Sequence, residues 1–541
     1  MLSLKFKKMK EILKHYKSPV MVALLLFISA FIGCTDKFDE LNTPENQLPE
    51  EEINSATVGQ AFGYAQYYGL GATYVQVQEN LHAHLFAQYF TTNVATFSTE
   101  RYVPNGTWVD LFWKEFYTKP ALMQFTTEQV TKANNMVLAN AIAKVWRVVI
   151  YHRMTDYFGP VIYSKFGNQQ TSVAFDSQKD IYYDFFKTLD EAVEVFKQNP
   201  SGNAFGTYDQ VYAGSAAKWL KFAGSLRLRL AMRLAYADGP KAKAEAEKAI
   251  ADGVILTNAE NAGVLSTLNS TNILSRITYL VNDFRANSSM LSVLKGYNDP
   301  RLSIYYSPAA TGGQYAGLRN GLAAADRGAV VAPTTSFVGP QWIGNPPRPG
   351  TVNPTLVLTA SEVAFLRAEG ALRNWNMGTG TAQSFYNSGI SLSLTQNVTG
   401  ITNTQITAYQ NTLTTPVPLA DKWNSPAMSN IPVLYNLAGS FEQQLEQIIT
   451  QKWLAIYPDG YEAWAERRRT GYPRGYALIG SDNPDLSATD LARRVIYAPS
   501  EVTTNRDAYQ AALGLLGGAD NMKTRVWWDQ KPLSAYPTPT N

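Results

Sequence analysis

Residues 448–473 read IITQKWLAIYPDGYEAWAERRRTGYP. The first half continues a helix that starts near Phe441, where Phe441, Leu445, Ile448, Ile449, Trp453 and Ile456 fall on one stripe and Glu442, Gln443, Glu446 and Gln447 lie outside it. Apolar residues spaced in this way bury one helix face against a neighbour. Pro458, Asp459 and Gly460 interrupt the pattern before GYEAWAERRRT resumes it. Trp453, Ile456, Tyr457 and Trp464 therefore read as core. Arg467, Arg468 and Arg469 stand at the end of the second helix, where cations suit the macrodipole and can pair with Glu462 or Glu466.

The helical period recurs toward the N-terminus. Residues 135–158 carry Met136, Val137, Ala139, Ala143, Trp146, Val149, Ile150 and Met154 mostly three, four and seven apart, and 179–197, 215–236 and 240–252 are similar. Breaks at Asn105-Gly106, Gly159-Pro160, Asn199-Pro200, Gly239-Pro240 and Gly253 cut this part into helix-sized pieces. Successive helices with short loops predict stacked helical hairpins over about 130–255. From 257 to 357 the texture turns to Asn, Ser, Thr, Gly and Pro, while Tyr305, Tyr306, Tyr315, Phe337 and Trp342 argue against disorder. Helix is expected again at Thr359, whose spacing to Glu362 is that of a capping box.

The 541 residues are 45% hydrophobic, 12% aromatic and 17% charged, against a typical charged share of about 25%. This composition belongs to a folded chain. Six Lys and Glu11 stand in the first 33 residues, and removing them leaves 41 basic against 43 acidic residues. The basic balance therefore comes from the leader, and the body lacks the electrostatic footprint of a nucleic-acid binder. One cysteine, Cys34, excludes an internal disulfide, and the four histidines leave little for a Cys/His zinc site.

The leader itself has a Lys-rich start, an apolar run at 20–33 (VMVALLLFISAFIG) and Cys34 directly after Gly33. Fourteen residues fall short of the roughly 18 that a spanning helix needs. Phe31-Ile32-Gly33-Cys34 resembles a bacterial lipobox, with Phe where Leu is usual. That resemblance implies a signal peptide over 1–33, cleavage before Cys34 and palmitate-type acylation, several chains giving stable attachment where one is marginal. Residues 34–55, acidic and broken by Pro44 and Pro49, then read as a lipid-anchored tether ahead of one domain at 56–541.

Several segments in one order carry a family resemblance: CTDKFDELNTPEN (34–46), RMTDYFGPVIY (153–163), AAKWLKFAGSLRLRLAMRLA (216–235), YNDPRL (297–302), FLRAEGA (365–371) and the 448–473 stretch. Together they resemble the SusD/RagB nutrient-binding outer-membrane lipoproteins of Bacteroidetes. The resemblance implies a mainly α SusD-like fold, in which tetratricopeptide-like hairpins pack against a loop-rich ligand-binding part. It also implies a partner, a SusC-like TonB-dependent transporter over which the lipoprotein sits as a hinged lid. The ligand it implies is an oligosaccharide, with oligopeptides as the alternative.

Residues within these motifs have structural readings of their own. Asp299 ahead of Pro300 locks a turn while Arg301 forks onto a carboxylate. Arg367 and Glu369, two apart, point to different faces and are each expected to pair across helices. His82 and His84 would share a side only on a strand, and their surroundings are helical. The sequence holds no GxSxG elbow, HExxH, phosphate loop or EF-hand loop, so no enzyme, metal or cofactor is expected, although a carboxylate pair for glycoside hydrolysis meets only in the fold. Aromatic faces beside Asn and Gln suit sugar rings. The candidates on loops are Phe97, Tyr102 and Trp108, and then Tyr315 and Trp342 with Gln314, Asn320 and Asn345 nearby.

Overall fold

Side chains that cap backbone N–H groups decide where the long helices begin. Asn105 accepts from Thr107 and Trp108, Ser177 from Asp180, and Asp238 from Lys241, with Pro240 in the first turn of the helix that follows. The structure, a computed structural model, describes residues 52–70, 77–266, 271–328, 331–343 and 353–540. Met1–Thr57 and Val58–Asn541 form separate units, and the helices and ribbons from Val58 onward build the second. Cys34, the leader and most of the tether lie outside the described residues.

The longer helices are α1 (Val58–Leu70), α2 (Gly106–Phe116), α3 (Leu122–Ala133), α4 (Val137–Phe158), α5 (Gln178–Gln198), α6 (Ala216–Arg233), α7 (Gly239–Asp252), α8 (Ile273–Leu280), α9 (Ser288–Gly296), α10 (Ala360–Leu372), α11 (Ala382–Asn397), α12 (Asn403–Gln410), α13 (Phe441–Ala455), α14 (Gly460–Thr470) and α15 (Arg506–Leu516). From α3 to α7 each packs on the next, giving the expected antiparallel stack, and α1 returns onto α3. A second layer of α10, α11 and α13 leans on it through α6. Trp146, Trp219, Trp453, Trp464 and Trp528 are fully buried, so the tryptophans of the opening stretch are core as read.

The loop-rich part carries three short antiparallel ribbons: β1 (Phe90–Thr92) with β3 (Phe284–Ala286), β2 (Ala262–Val264) with β6 (Thr355–Leu358), and β4 (Tyr306–Ser307) with β5 (Phe337–Val338). They tie 257–357 to the segments on either side of it.

Charge stitches the layers together. Arg233 of α6 reaches Glu462 at 2.5 Å, Glu466 at 3.1 Å and Asp156 at 3.2 Å, and Arg229 reaches Glu362 at 2.6 Å. Lys452 adds Glu462 at 2.9 Å, and Arg469 lies 2.5 Å from Glu466 and 2.6 Å from Glu369. All of these groups are buried. Burial alone would raise the Glu369 carboxyl, but Arg469 and Arg373 hold it down at about 2.

Of the three arginines closing α14, only Arg469 pairs with a carboxylate among the described residues. Arg467 donates to the Phe86 carbonyl, and Arg468 donates to the carbonyls of Asp156 and Arg493 while lying 3.8 Å above Trp464. The helix end meets other backbone there, so carbonyls rather than acids are the acceptors within reach. Arg367 departs in the same way: it donates to the Met377 carbonyl and lies 4.0 Å over Phe385. Glu369 bonds both Arg373 on its own helix and Arg469 across. Thr359 caps α10, yet the Glu362 carboxylate is drawn to Arg229 instead of closing the box. Arg301 forks onto Asp299 at 2.9 and 2.6 Å, both wholly buried, as the turn reading required.

Candidate functional site

Trp342 sits in a one-turn helix, Pro340–Ile343, whose entry is fixed by the Trp342 N–H donating to the Gly339 carbonyl at 3.1 Å. Its indole meets Tyr457 edge-on at 5.4 Å, and Tyr457 in turn stacks on Tyr305 at 4.3 Å. Tyr457 follows α13, so the aromatic wall is built where the long loop meets the C-terminal helices.

A cavity of about 420 Å³ opens against this wall. Primary amides also line it: Asn258, Asn261, Asn272, Asn353, Gln341 and Gln396. Each comes from a loop or helix end, and their mutual bonds set their orientation. Asn261 donates to Gln396 at 2.9 Å, Asn272 to the Pro354 carbonyl at 3.1 Å, Asn353 to the Gln341 carbonyl at 2.6 Å, and Asn258 to the Leu392 carbonyl at 2.9 Å. A primary amide offers two donors and two lone pairs, so these bonds leave capacity for a ligand.

Beneath them lies a charged group. Arg153 pairs with Asp459 at 2.8 Å, Glu79 accepts from Gly460 N–H at 2.9 Å, and His84 Nε2 lies 2.8 Å from the Pro458 carbonyl. Burial and the neighbouring Glu79 push Asp459 up to about 6 against the pull of Arg153. Burial also works against the Glu79 charge, but His84, Arg153 and the Gly460 N–H hold it below the usual range. His82, two residues from His84, bonds the Val77 carbonyl instead, and burial lowers it to about 4. Among the described residues no His, Cys, Asp and Glu cluster could hold a metal.

Aromatic side chains lining the same space as neutral hydrogen-bonding groups match a ligand with apolar C–H faces and a hydroxyl or amide rim. The five aromatics singled out from sequence do not converge on it. Trp342 lines this cavity; Phe97 on the loop before α2 and Trp108, which stands in the first turn of α2 and not on a loop, are both half-buried and meet edge-to-face at 4.9 Å. Tyr102 is buried, donates to the Asp490 carbonyl at 2.8 Å and lines a different cleft. Tyr315 is half-buried against the core. Of their polar neighbours, Asn320 is buried with its amide on backbone carbonyls, Gln314 is exposed, and Asn345 lies outside the described residues. Tyr457 and the amides were not singled out beforehand. Tyr457 carries a core pattern and is both core and wall, and single amides in Asn-rich loops carry no periodic signal.

The profile of the family described as SusD-like, "Susd and RagB outer membrane lipoprotein", matches residues 40–529. Similar solved structures include a chitin-binding SusD homologue from Flavobacterium johnsoniae, 31% identical, with 88% of this chain and 99% of that one covered at a TM-score of 0.80. A SusD homologue from Bacteroides thetaiotaomicron is 32% identical over 88% and 99% at 0.78, and one from Bacteroides uniformis is 32% identical over 88% and 100% at 0.79. Comparison with curated proteins finds no match. Among the described residues no helix is long and apolar enough to cross a membrane.

Proposed function

The chain belongs to the SusD/RagB family of outer-membrane lipoproteins, and from that premise we propose that it captures an oligosaccharide at the cell surface and delivers it to a SusC-like TonB-dependent transporter. The cavity lined by Trp342 and Tyr457 together with Asn258, Asn261, Asn272 and Gln396 carries the reading. Its rim is made of neutral amides, so hydroxyls and N-acetyl groups find partners there. The chitin-binding homologue makes chito-oligosaccharides the first ligands to try. Acylated Cys34 anchors the protein facing outward, and the transporter supplies the energy. The role is capture without bond cleavage.

The test is isothermal titration of detergent-solubilised protein against chito-oligosaccharides, a mixed oligosaccharide pool and a tryptic peptide digest, with each pool checked afterwards for cleavage. Heat from a sugar pool that stays intact, lost at least tenfold in Trp342→Ala, is the expected result. Heat from the peptide digest alone moves the ligand to oligopeptides. Shortened sugars make the protein a hydrolase.

A further inference from the structure

A second cleft, also of about 420 Å³, lies beneath the C-terminal tail and shares no lining residue with the amide cavity. Leu533 and Tyr536–Pro539 form one side of it. The tail is held down where Thr540 N–H donates to the Gly475 carbonyl at 3.0 Å and Ala477 N–H to the Thr540 carbonyl at 2.9 Å. Tyr102 and Tyr536 present aromatic surface to the space, and Tyr102 is held with φ at +63°, a backbone conformation rare for a bulky residue.

Three arginines line the cleft, and two are satisfied. Arg474 bonds Glu446 at 2.8 Å and Arg493 bonds Asp529 at 3.1 Å. Arg467 is different. One nitrogen donates to the Phe86 carbonyl, and among the described residues no carboxylate pairs with it. Burial and the nearby Arg493 bring it down to about 10, so it keeps its charge at neutral pH. Gly475 packs against this guanidinium: a Cβ there would stand 2.1 Å from Nη2 and 2.5 Å from Gln88 Oε1, so any larger residue would crowd it. Of the two acids in the lining, Glu100 is bonded through one oxygen only, its Oε1 being buried without a hydrogen bond, and Asp490 is bonded locally. Glu100 accepts from the Thr91 hydroxyl and Thr92 N–H with Arg327 at 3.6 Å, and Asp490 accepts from Ser487.

A buried guanidinium with an open edge is a site for a carboxylate, which it grips through two parallel N–H bonds. We propose that this cleft is a second binding site, taking a small ligand of monosaccharide size through its carboxylate, which docks on the free edge of Arg467 between Tyr102 and Tyr536. An acidic sugar and an acylated amino acid both present that group.

Titrations of the detergent-solubilised full chain with glucuronate, N-acetylalaninate and glucose separate the cases. Binding of either carboxylate with silence from glucose is expected, glucuronate alone indicating an acidic sugar. Arg467→Gln should weaken it at least tenfold. Ala488→Phe, which fills the cleft and leaves Arg467 in place, should abolish it and decides the matter if Arg467→Gln does not fold. Trp342→Ala should leave it unchanged, which separates this site from the amide cavity. No binding of either carboxylate, equal binding of glucose, or binding that survives Ala488→Phe overturns the proposal.

Discussion

Glu369 shows how much one buried carboxylate contributes to this fold. It touches Arg373 and Arg469, and the two cations hold it at about 2 where an ordinary glutamate titrates near 4.5. Its folded pKa is depressed, so its stabilisation is fully present above about pH 4.5 and fades as pH falls toward 2. Glu369→Gln should therefore lower the urea midpoint strongly at pH 7, with the gap to wild type narrowing as pH is taken from 4.5 to 2. A gap that does not depend on pH would mean that packing, not charge, is what the substitution removes. Asp459 titrates in the opposite sense. Its raised value makes the folded state the better proton binder, so its contribution improves as pH falls from about 6 toward 4. That Glu369 binds Arg469 was not readable from FLRAEGA, because its partner stands 100 residues away and spacing reports only neighbours on one helix.

At the level of elements, α6 and α7 approach so closely that glycine is required between them. A Cβ on Gly224 would stand 2.1 Å from the Gly253 carbonyl oxygen. Alanine favours a helix over glycine by about 1 kcal/mol, whereas forcing backbone apart in a packed interior costs about 1–3 kcal/mol. The second effect should win, and Gly224→Ala should lower the thermal midpoint measured by circular dichroism; an unchanged or raised midpoint would show that α7 moves away freely. The helices were readable in advance because apolar residues recur every three to four positions in α4, α5, α6 and α13, and because Pro240 and Thr359 mark starts. The ribbons were not, since strands of two to four residues such as Tyr306–Ser307 are too short to show alternation. The amide cavity escaped for a related reason: Asn261, Asn353 and Gln396 come from three segments that meet only once β2 pairs with β6.

For the molecule as a whole, the proposed lipid attachment rests on Cys34. Cys34→Ala should shift the protein from the membrane to the soluble fraction after carbonate washing; retention in the membrane would assign the anchor to the apolar run at 20–33 instead. The buried charges have a further consequence for biogenesis. Arg229 and Arg233 are made early, but Glu362, Glu462 and Glu466 arrive 129 to 237 residues later in the chain. Until then Asp156 is the one partner of Arg233 already synthesised, and sealing two guanidinium groups away from water would be strongly unfavourable. An incomplete chain therefore has an electrostatic reason to stay hydrated and open. For a member of an outer-membrane lipoprotein family, which crosses the inner membrane before folding, this late neutralisation is expected to favour the open chain until α14 has been made.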